Sequence, residues 1–206
     1  LPVQVKSDKS DLTLWETASN IAAGEIAAIQ WSEQLAITSI CESIPDESAL
    51  FLGSSRPIRD VEAFCHPRGG IKVFANRGLA GIDGNLSTIF GIAKIFQNTY
   101  AILGDLTFLH DISALSNAAS ENIRIYVIDN NGGAIFSTLP QAGVDNFDQL
   151  FGTPHNLDLA QVSAGFNISA TIVSNIAELQ TLLSKEVKGL EIVIINVQPD
   201  RLMPKS

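Results

Sequence analysis

Short runs of β-branched and other apolar residues alternate along this chain with segments of helical periodicity, and this alternation constrains the fold most. The runs at 100–105, 123–130 and 191–197 are apolar almost throughout. Strands that are buried on both faces have this composition, whereas strands with one solvated face alternate apolar and polar residues. The pattern predicts the fold class α/β, as a three-layer α/β/α domain with a mostly parallel central sheet.

The other elements follow the same alternation. We expect further strands at 49–55, 72–76 and 168–173. We expect helices at 11–43, 56–64, 85–96, 108–119, 147–151, 157–166 and 176–189. The last helix is the most clearly marked, because Asn175 is a candidate N-cap, Glu178 completes a capping pattern, and Gly189 is a candidate C-terminal stop.

Composition and charge limit the classes of function. Of 206 residues, 46% are hydrophobic and 17% are charged, and the formal net charge is −9. A negative field repels nucleic acids and anionic membranes, so we expect neither as a partner. No apolar run approaches the ~20 residues of a membrane span. Cys41 and Cys65 form no disulfide framework. We therefore expect a soluble, cytoplasmic protein.

The length of the chain suits a single domain with a well-buried core. We expect residues 1–10 to be a linker or tail and residues 11–206 to be that domain. The chain does not begin with methionine, so we also expect that it was cut from a longer polypeptide.

Two of the predicted strands end in residues that suit a cation and a phosphate. Gly104 and Asp105 end one strand, and Asn130, Asn131 and Gly132 end another. Ligands of parallel sheets bind at the carboxyl ends of the strands. Magnesium prefers carboxylate, amide and carbonyl oxygens together with phosphate oxygens and water. The aspartate alone would also suit a helix N-cap, and the glycines alone a tight turn, but a turn does not explain the matching aspartate.

Several independent motifs resemble one family of thiamine-diphosphate enzymes. The Gly-Asp pair followed by Asn-Asn resembles the diphosphate and Mg²⁺ signature of that class, and Leu106 replaces the usual third glycine, as in one branch. The motifs that carry the resemblance are ICESIPDESALFLGSSRPIRD, ANRGLAGIDGNLST, ILGDLTFLHD, NNGGAIFSTLPQ and LFGTPH. They closely resemble the C-terminal, cofactor-binding domain of the 2-succinyl-5-enolpyruvyl-6-hydroxy-3-cyclohexene-1-carboxylate synthases of menaquinone biosynthesis.

This resemblance implies cofactors and roles for particular residues. The implied cofactors are thiamine diphosphate and Mg²⁺ (or Mn²⁺). The implied metal ligands are Asp105, Asn130 and the carbonyl of Gly132, and the other implied cofactor contacts are Gly104, Leu106 and Ile82. Ile82 would be the apolar wedge under the cofactor, although it would otherwise be taken for an ordinary core isoleucine.

The resemblance also implies a transferase that decarboxylates 2-oxoglutarate and adds the resulting unit to isochorismate. The implied substrate-binding residues are Ser55, Arg59, Arg77, Ile135, Phe136 and Leu139. Both substrates are dicarboxylates, and arginine recognises carboxylates through two parallel hydrogen bonds. An exposed arginine is more often only a solvated surface residue, and the three apolar residues could equally belong to the core. Arg56 and Arg68 match no functional position.

One role has no candidate in the chain. Family members need an activating glutamate from an N-terminal pyrimidine-binding domain of a partner subunit, so we expect no catalytic residue here, a homo-oligomer, and inactivity of the chain alone. We expect structural or surface roles for the histidines at 66, 110 and 155, with His110 the one most worth testing. The alternatives are another 2-oxoacid decarboxylase domain, a non-catalytic domain, and a Rossmann-type dinucleotide domain, whose glycine motif is missing after the first strand.

Overall fold

The computed structural model describes residues 9–117 and 121–198. By its internal contacts the chain divides into one unit up to Gln30 and a second from Trp31 onward. The first unit contains helix α1, Lys9–Ala27, on which Leu14 and Trp15 are exposed. None of the described helices combines the length and the apolar character needed to cross a lipid bilayer.

The second unit is built on a six-stranded sheet. Its strands are β1 Ala49–Leu52, β2 Lys72–Phe74, β3 Asn98–Gly104, β4 Asn122–Asp129, β5 Ala170–Val173 and β6 Leu190–Asn196. They lie in the order β2-β1-β3-β4-β6-β5, and every neighbouring pair is parallel. Helices connect the strands: α2 Glu33–Ser43, α3 Arg56–Phe64, α4 Asn85–Ala93, α5 Asp105–His110, α6 Leu159–Ala164 and α7 Ile176–Leu183.

Alternate residues of the strands β1, β3, β4 and β6 enter two separate cores. On β3, Tyr100 and Ile102 pack with residues of α2 and α7. Ala101 and Leu103 pack on the opposite face with residues of α4 and α5. The period of two in a strand sends neighbouring side chains to opposite faces, so both faces are buried. This arrangement confirms the predicted three-layer α/β/α fold.

The predicted helix at 11–43 is wrong in one respect, because it is interrupted after α1. Ser32 has an extended backbone, and its hydroxyl accepts a hydrogen bond from the amide of Leu35. Serine in this geometry starts a new helix. The predicted helix at 108–119 is likewise divided into α5, which begins at Asp105, and a short 3₁₀ helix, Ile112–Asn117.

The C-terminal stop predicted at Gly189 is also wrong, since α7 ends at Leu183. The side chain of Arg124 donates hydrogen bonds to the carbonyls of Lys185 and Glu186, in the segment that follows the helix. Gly189 instead has φ +68° and turns the chain into β6. Asn175 caps α7 as predicted, by accepting from the amide of Glu178.

The order of the strands reverses beside β1. The chain passes from β1 outward to β2 and then returns to place β3 on the other side of β1. The crossovers that follow β1 and β3 therefore leave the sheet in opposite directions, and a crevice opens between them at the carboxyl edge. The loops that follow β1, β3 and β4 meet at this edge.

Candidate functional site

A cavity of about 350 Å³ lies at this carboxyl edge, and all twelve site residues predicted from the sequence line it. They are Ser55, Arg59, Arg77, Ile82, Gly104, Asp105, Leu106, Asn130, Gly132, Ile135, Phe136 and Leu139. The twelve residues come from positions 55 to 139 of the chain, so the fold brings distant segments to one cavity.

Asp105 is the buried acid of the cavity. It is 2% exposed and opens α5 directly after β3. Its Oδ1 accepts from the amide of Leu106 at 2.6 Å, and its Oδ2 accepts from the amide of Gly132 at 2.7 Å. Burial raises the pKa of Asp105 to about 6, although these two amide hydrogen bonds oppose the shift. A nearby cation would relieve the cost of keeping this carboxylate charged.

Asn130 faces the same space from the end of β4. Its Nδ2 donates to Oε1 of Glu33 at 2.7 Å. Its Oδ1 is buried and has no hydrogen-bond partner within the described part of the chain. A buried amide oxygen without a partner is costly, and a hard cation would satisfy it. The oxygen donors at Asp105 and Asn130 therefore fit a magnesium ion.

Close backbone contact shapes the loop that contains Gly132. Gly132 has φ +135°, and a Cβ atom there would lie 2.2 Å from the carbonyl oxygen of Gly152. Only glycine fits such an approach. Asn131 and Asn156 bind each other twice, through Nδ2 to Oδ1 at 2.9 Å and through the amide of Asn156 to Oδ1 of Asn131 at 2.8 Å. Segment 152–156 therefore holds the loop in place.

His155 reaches the acid from this same segment, a contact that sequence reasoning missed. Its Nε2 lies 3.2 Å from Oδ2 of Asp105 and 3.6 Å from Oδ1 of Asp129. Its Nδ1 accepts from the amide of Leu157 at 3.0 Å, so the proton is on Nε2, which donates to Asp105. His155 is the last residue of the motif LFGTPH, and this motif was the sequence signal that could have indicated the contact. His110 instead has its Nδ1 3.0 Å from the carbonyl of Leu106.

The arginines around the cavity differ in their surroundings. Arg59 and Arg77 are exposed, and Arg59 donates to the carbonyl of Ser55 at 2.6 Å. Arg56, which matched no functional position, also lines the cavity, and its Nε lies 3.7 Å from Oε2 of Glu33 and 3.4 Å from Asp60. Two exposed guanidinium groups at a cavity suit an anionic ligand.

Arg68 lies away from this cavity and binds the end of α2. It donates to the carbonyls of Cys41 and Ile44 and to the carboxylate of Asp46. These contacts indicate a capping role for Arg68.

The apolar part of the lining follows β4 and its loop. Ile135 and Phe136 lie on a short 3₁₀ helix, Ala134–Thr138, and Leu139 follows it with 40% of its surface exposed. The rings of Phe136 and Phe151 are 5.8 Å apart. Ile82 contributes from the turn before α4. These residues form an apolar wall of the cavity.

Residues 61–197 match the family model described as the C-terminal TPP-binding domain of thiamine pyrophosphate enzymes. The chain belongs to this family, which binds thiamine diphosphate. The match therefore favours a thiamine-diphosphate-binding domain over the alternative of a Rossmann-type dinucleotide-binding domain.

Similar proteins with curated names point to a more specific group within this family. The chain is 39% identical over 178 residues to the 2-succinyl-5-enolpyruvyl-6-hydroxy-3-cyclohexene-1-carboxylate synthase of Thermobifida fusca, covering 82% of this chain and 32% of the relative. It is 36% identical over 203 residues to the same-named protein of Lysinibacillus sphaericus, covering 94% of this chain and 35% of the relative. The chain thus spans about a third of the length of these relatives.

The fold is also shared with a solved enzyme. Benzoylformate decarboxylase from Polynucleobacter necessarius superposes with a TM-score of 0.68 over 85% of this chain and 34% of that chain, at 14% sequence identity. This likeness supports the fold assignment alone.

Proposed function

We propose that the chain is the diphosphate-binding part of a thiamine-diphosphate-dependent transferase of menaquinone biosynthesis. The proposed reaction is decarboxylation of 2-oxoglutarate followed by addition of the four-carbon unit to isochorismate, as in 2-succinyl-5-enolpyruvyl-6-hydroxy-3-cyclohexene-1-carboxylate synthases. The observation that carries this proposal is that all twelve residues expected from the family resemblance line one cavity. The names of the curated relatives support it.

Asp105, Asn130 and the carbonyl of Gly132 are the proposed ligands of Mg²⁺ (or Mn²⁺). The hydrogen bond from the amide of Gly132 to Asp105 brings the ends of β3 and β4 together and fixes the carboxylate. Gly104 and Leu106 flank that acid in the cavity lining. When bound, thiamine diphosphate supplies the electron sink for decarboxylation.

We assign substrate binding to residues at the mouth of the cavity and along its apolar wall. Arg59 and Arg77 place positive charge at the cavity of a chain whose net charge is −9, so they provide the local attraction that dicarboxylates need. Ser55 offers a hydroxyl beside Arg59. The apolar side chains of Ile135, Phe136 and Leu139 exclude water from the reacting centre, and that of Ile82 supports the cofactor ring.

The proposed active site needs a second domain. We propose that residues 11–206 form one C-terminal domain. The activating glutamate comes from an N-terminal pyrimidine-binding domain of another subunit in a homo-oligomer. We also propose that the enzyme works in the cytoplasm. The coverage of about a third of each relative supports the presence of further domains in such enzymes.

Calorimetry on the 206-residue chain tests the cofactor part of this proposal. We expect thiamine diphosphate to bind only with Mg²⁺, and Asp105→Ala to abolish that binding. Asp145→Ala, which changes an exposed aspartate elsewhere, is the matched control and should bind normally. Binding that ignores both Mg²⁺ and Asp105→Ala would contradict the proposal.

A second assay tests the need for the missing domain. The chain with excess cofactor and Mg²⁺ should release no CO₂ from 2-oxoglutarate. Release should appear when the chain is joined to the N-terminal region of a curated relative and should then depend on Arg59 and Arg77. Steady turnover by the chain alone would refute the assignment of the activating group to another domain.

A further inference from the structure

We propose that Glu33 is a positioning residue that fixes the orientation of the Asn130 amide, so that the amide oxygen faces the metal site. The inference rests on the proposed function of this cavity. It adds a residue of α2 to the groups that prepare the proposed metal ligands, although no role in the site was expected for this helix.

The contact between Glu33 and Asn130 determines the orientation of the Asn130 side-chain amide. The side chain of Glu33 is 2% exposed, and its Oε1 lies 2.7 Å from Nδ2 of Asn130. A carboxylate only accepts hydrogen bonds, so the amide must turn its nitrogen toward Glu33. The oxygen then faces away, where it is buried without a hydrogen-bond partner within the described part of the chain.

Rotation of this amide by half a turn would be unfavourable on both sides. The amide oxygen would meet the carboxylate of Glu33, and the NH₂ group would point its positive hydrogens at the cation. Without Glu33, both orientations would be accessible and part of the binding free energy would be used to select one. Groups that orient metal ligands in this way typically change metal affinity by about 10–100-fold.

Glu33 itself is held from several directions. Ser32 caps the first turn of α2, so the residue that follows it has a fixed backbone. Trp31 donates from Nε1 to the carbonyl of Asn196 at 3.0 Å, which ties the start of this segment to the end of β6. The Nε of Arg56 lies 3.7 Å from Oε2 of Glu33 and partly compensates its buried charge. Glu33 can therefore act as a rigid support for Asn130.

Two conservative variants separate the reach of the side chain from the acceptor-only character of the carboxylate. Glu33→Gln keeps the length of the side chain but adds an NH₂ donor, so it can pair with either orientation of the Asn130 amide. Glu33→Asp keeps the charge but withdraws the acceptor by one methylene. The matched controls are Glu42→Gln and Glu42→Asp at the exposed end of the same helix.

Two measurements are made on each full-length chain. Calorimetry with thiamine diphosphate and increasing MgCl₂ gives the apparent Mg²⁺ affinity. The ¹H–¹⁵N signals of the Asn130 side-chain amide, identified by their loss in Asn130→Asp, report its hydrogen exchange without any ligand. The second measurement is independent of cofactor binding, so failure of the proposed function and failure of this inference are distinguishable.

We expect Glu33→Gln to weaken Mg²⁺ affinity by about 10-fold, because its amide can present either an oxygen or an NH₂ group and no longer fixes the orientation of Asn130. Glu33→Asp should weaken Mg²⁺ affinity by about 10–100-fold and expose the amide to exchange. Both Glu42 variants should match the unmodified chain. Full affinity and full protection in Glu33→Asp, or rapid exchange of the Asn130 amide in the unmodified chain, would overturn the proposal.

Discussion

Asp105 is a buried acid of the cavity whose pKa departs clearly from its ordinary value. Its folded-state pKa of about 6 lies above the ordinary value of 3.8, because burial penalises the charged form. The folded chain therefore binds a proton that the unfolded chain has released between these two pH values. Stability contributed by the protonated form is complete below about pH 4 and is lost as the pH rises through 6.

Replacement of Asp105 by asparagine should remove this dependence. Without metal, we expect the unfolding free energy of the unmodified chain to fall by an amount on the order of 3 kcal/mol between pH 4 and pH 7 through Asp105, and that of Asp105→Asn to lack this fall. Urea unfolding in EDTA at several pH values measures the difference, with Asp145→Asn as the exposed control. Parallel pH profiles for Asp105→Asn and the unmodified chain would contradict the assigned pKa.

Gly132 is the residue where a single methyl group should do most damage. In Gly132→Ala the new Cβ would lie 2.2 Å from the carbonyl of Gly152, so the loop must move. We expect a loss of at least about 2 kcal/mol in unfolding free energy, together with loss of Mg²⁺-dependent cofactor binding. Gly78→Ala is the control, because Gly78 also has positive φ but a Cβ there would meet nothing within 4 Å. Equal effects of the two changes would show that backbone strain, and not the close approach, is responsible.

At the scale of elements, Arg124 links β4, β6 and the end of α7. Its Nε donates to Glu191 at 2.7 Å, and its NH2 group donates to the carbonyl of Lys185 at 3.1 Å. The arginine is buried, whereas the side chain of Glu191 is 30% exposed. The cost of removing it comes mainly from carbonyls left without a donor, since water can still reach Glu191.

Arg124→Leu should therefore lower the free energy of unfolding by about 2–4 kcal/mol. Urea denaturation measures this, and the slope of the transition should stay unchanged if only the folded state is affected. Lys94→Leu disrupts the exposed pair with Glu121 and serves as control, with little expected shift of the midpoint. A small effect of Arg124→Leu would mean that the end of α7 finds other donors.

The elements themselves were largely predictable from the sequence, because continuous apolar runs distinguish buried parallel strands from helices. Contacts between residues that are far apart in the sequence were less predictable. The meeting of Asp105 and Asn130 at one cavity was predictable, since each lies at the end of a recognisable strand. Glu33 and His155 were not, because their contacts with Asn130 and Asp105 span 97 and 50 positions and leave no local pattern.

The boundaries that differed have one local and one distant contribution. The start of α2 depends on the cap at Ser32, whereas the end of α7 is contacted by Arg124, which lies 58 positions before its acceptor, the carbonyl of Leu182. The periodicity of apolar residues indicates the buried face of a helix, but it does not indicate a contact with a guanidinium group on a distant strand.

At the scale of the whole molecule, ligand binding should be visible as stability. Anything that binds only the folded chain stabilises it, by about 2.7 kcal/mol when its concentration is 100 times the dissociation constant. We therefore expect thiamine diphosphate with Mg²⁺ to raise the thermal midpoint, and EDTA to reverse the rise. Thiamine without its diphosphate is the control and should have no effect. An equal rise with thiamine would argue that the oxygen ligands at Asp105 and Asn130 are not what holds the cofactor.

The all-parallel strand order has a consequence for how the chain folds. None of the six described strands pairs through a hairpin, so each pairing must close a long loop, which makes folding slow for a domain of this size. The pair formed by Glu33 and Asn130 joins positions separated by 97 residues. We expect the metal ligands to reach their final arrangement only in the last stage of folding, after the slow step, so the ion would stabilise the finished protein without accelerating its formation.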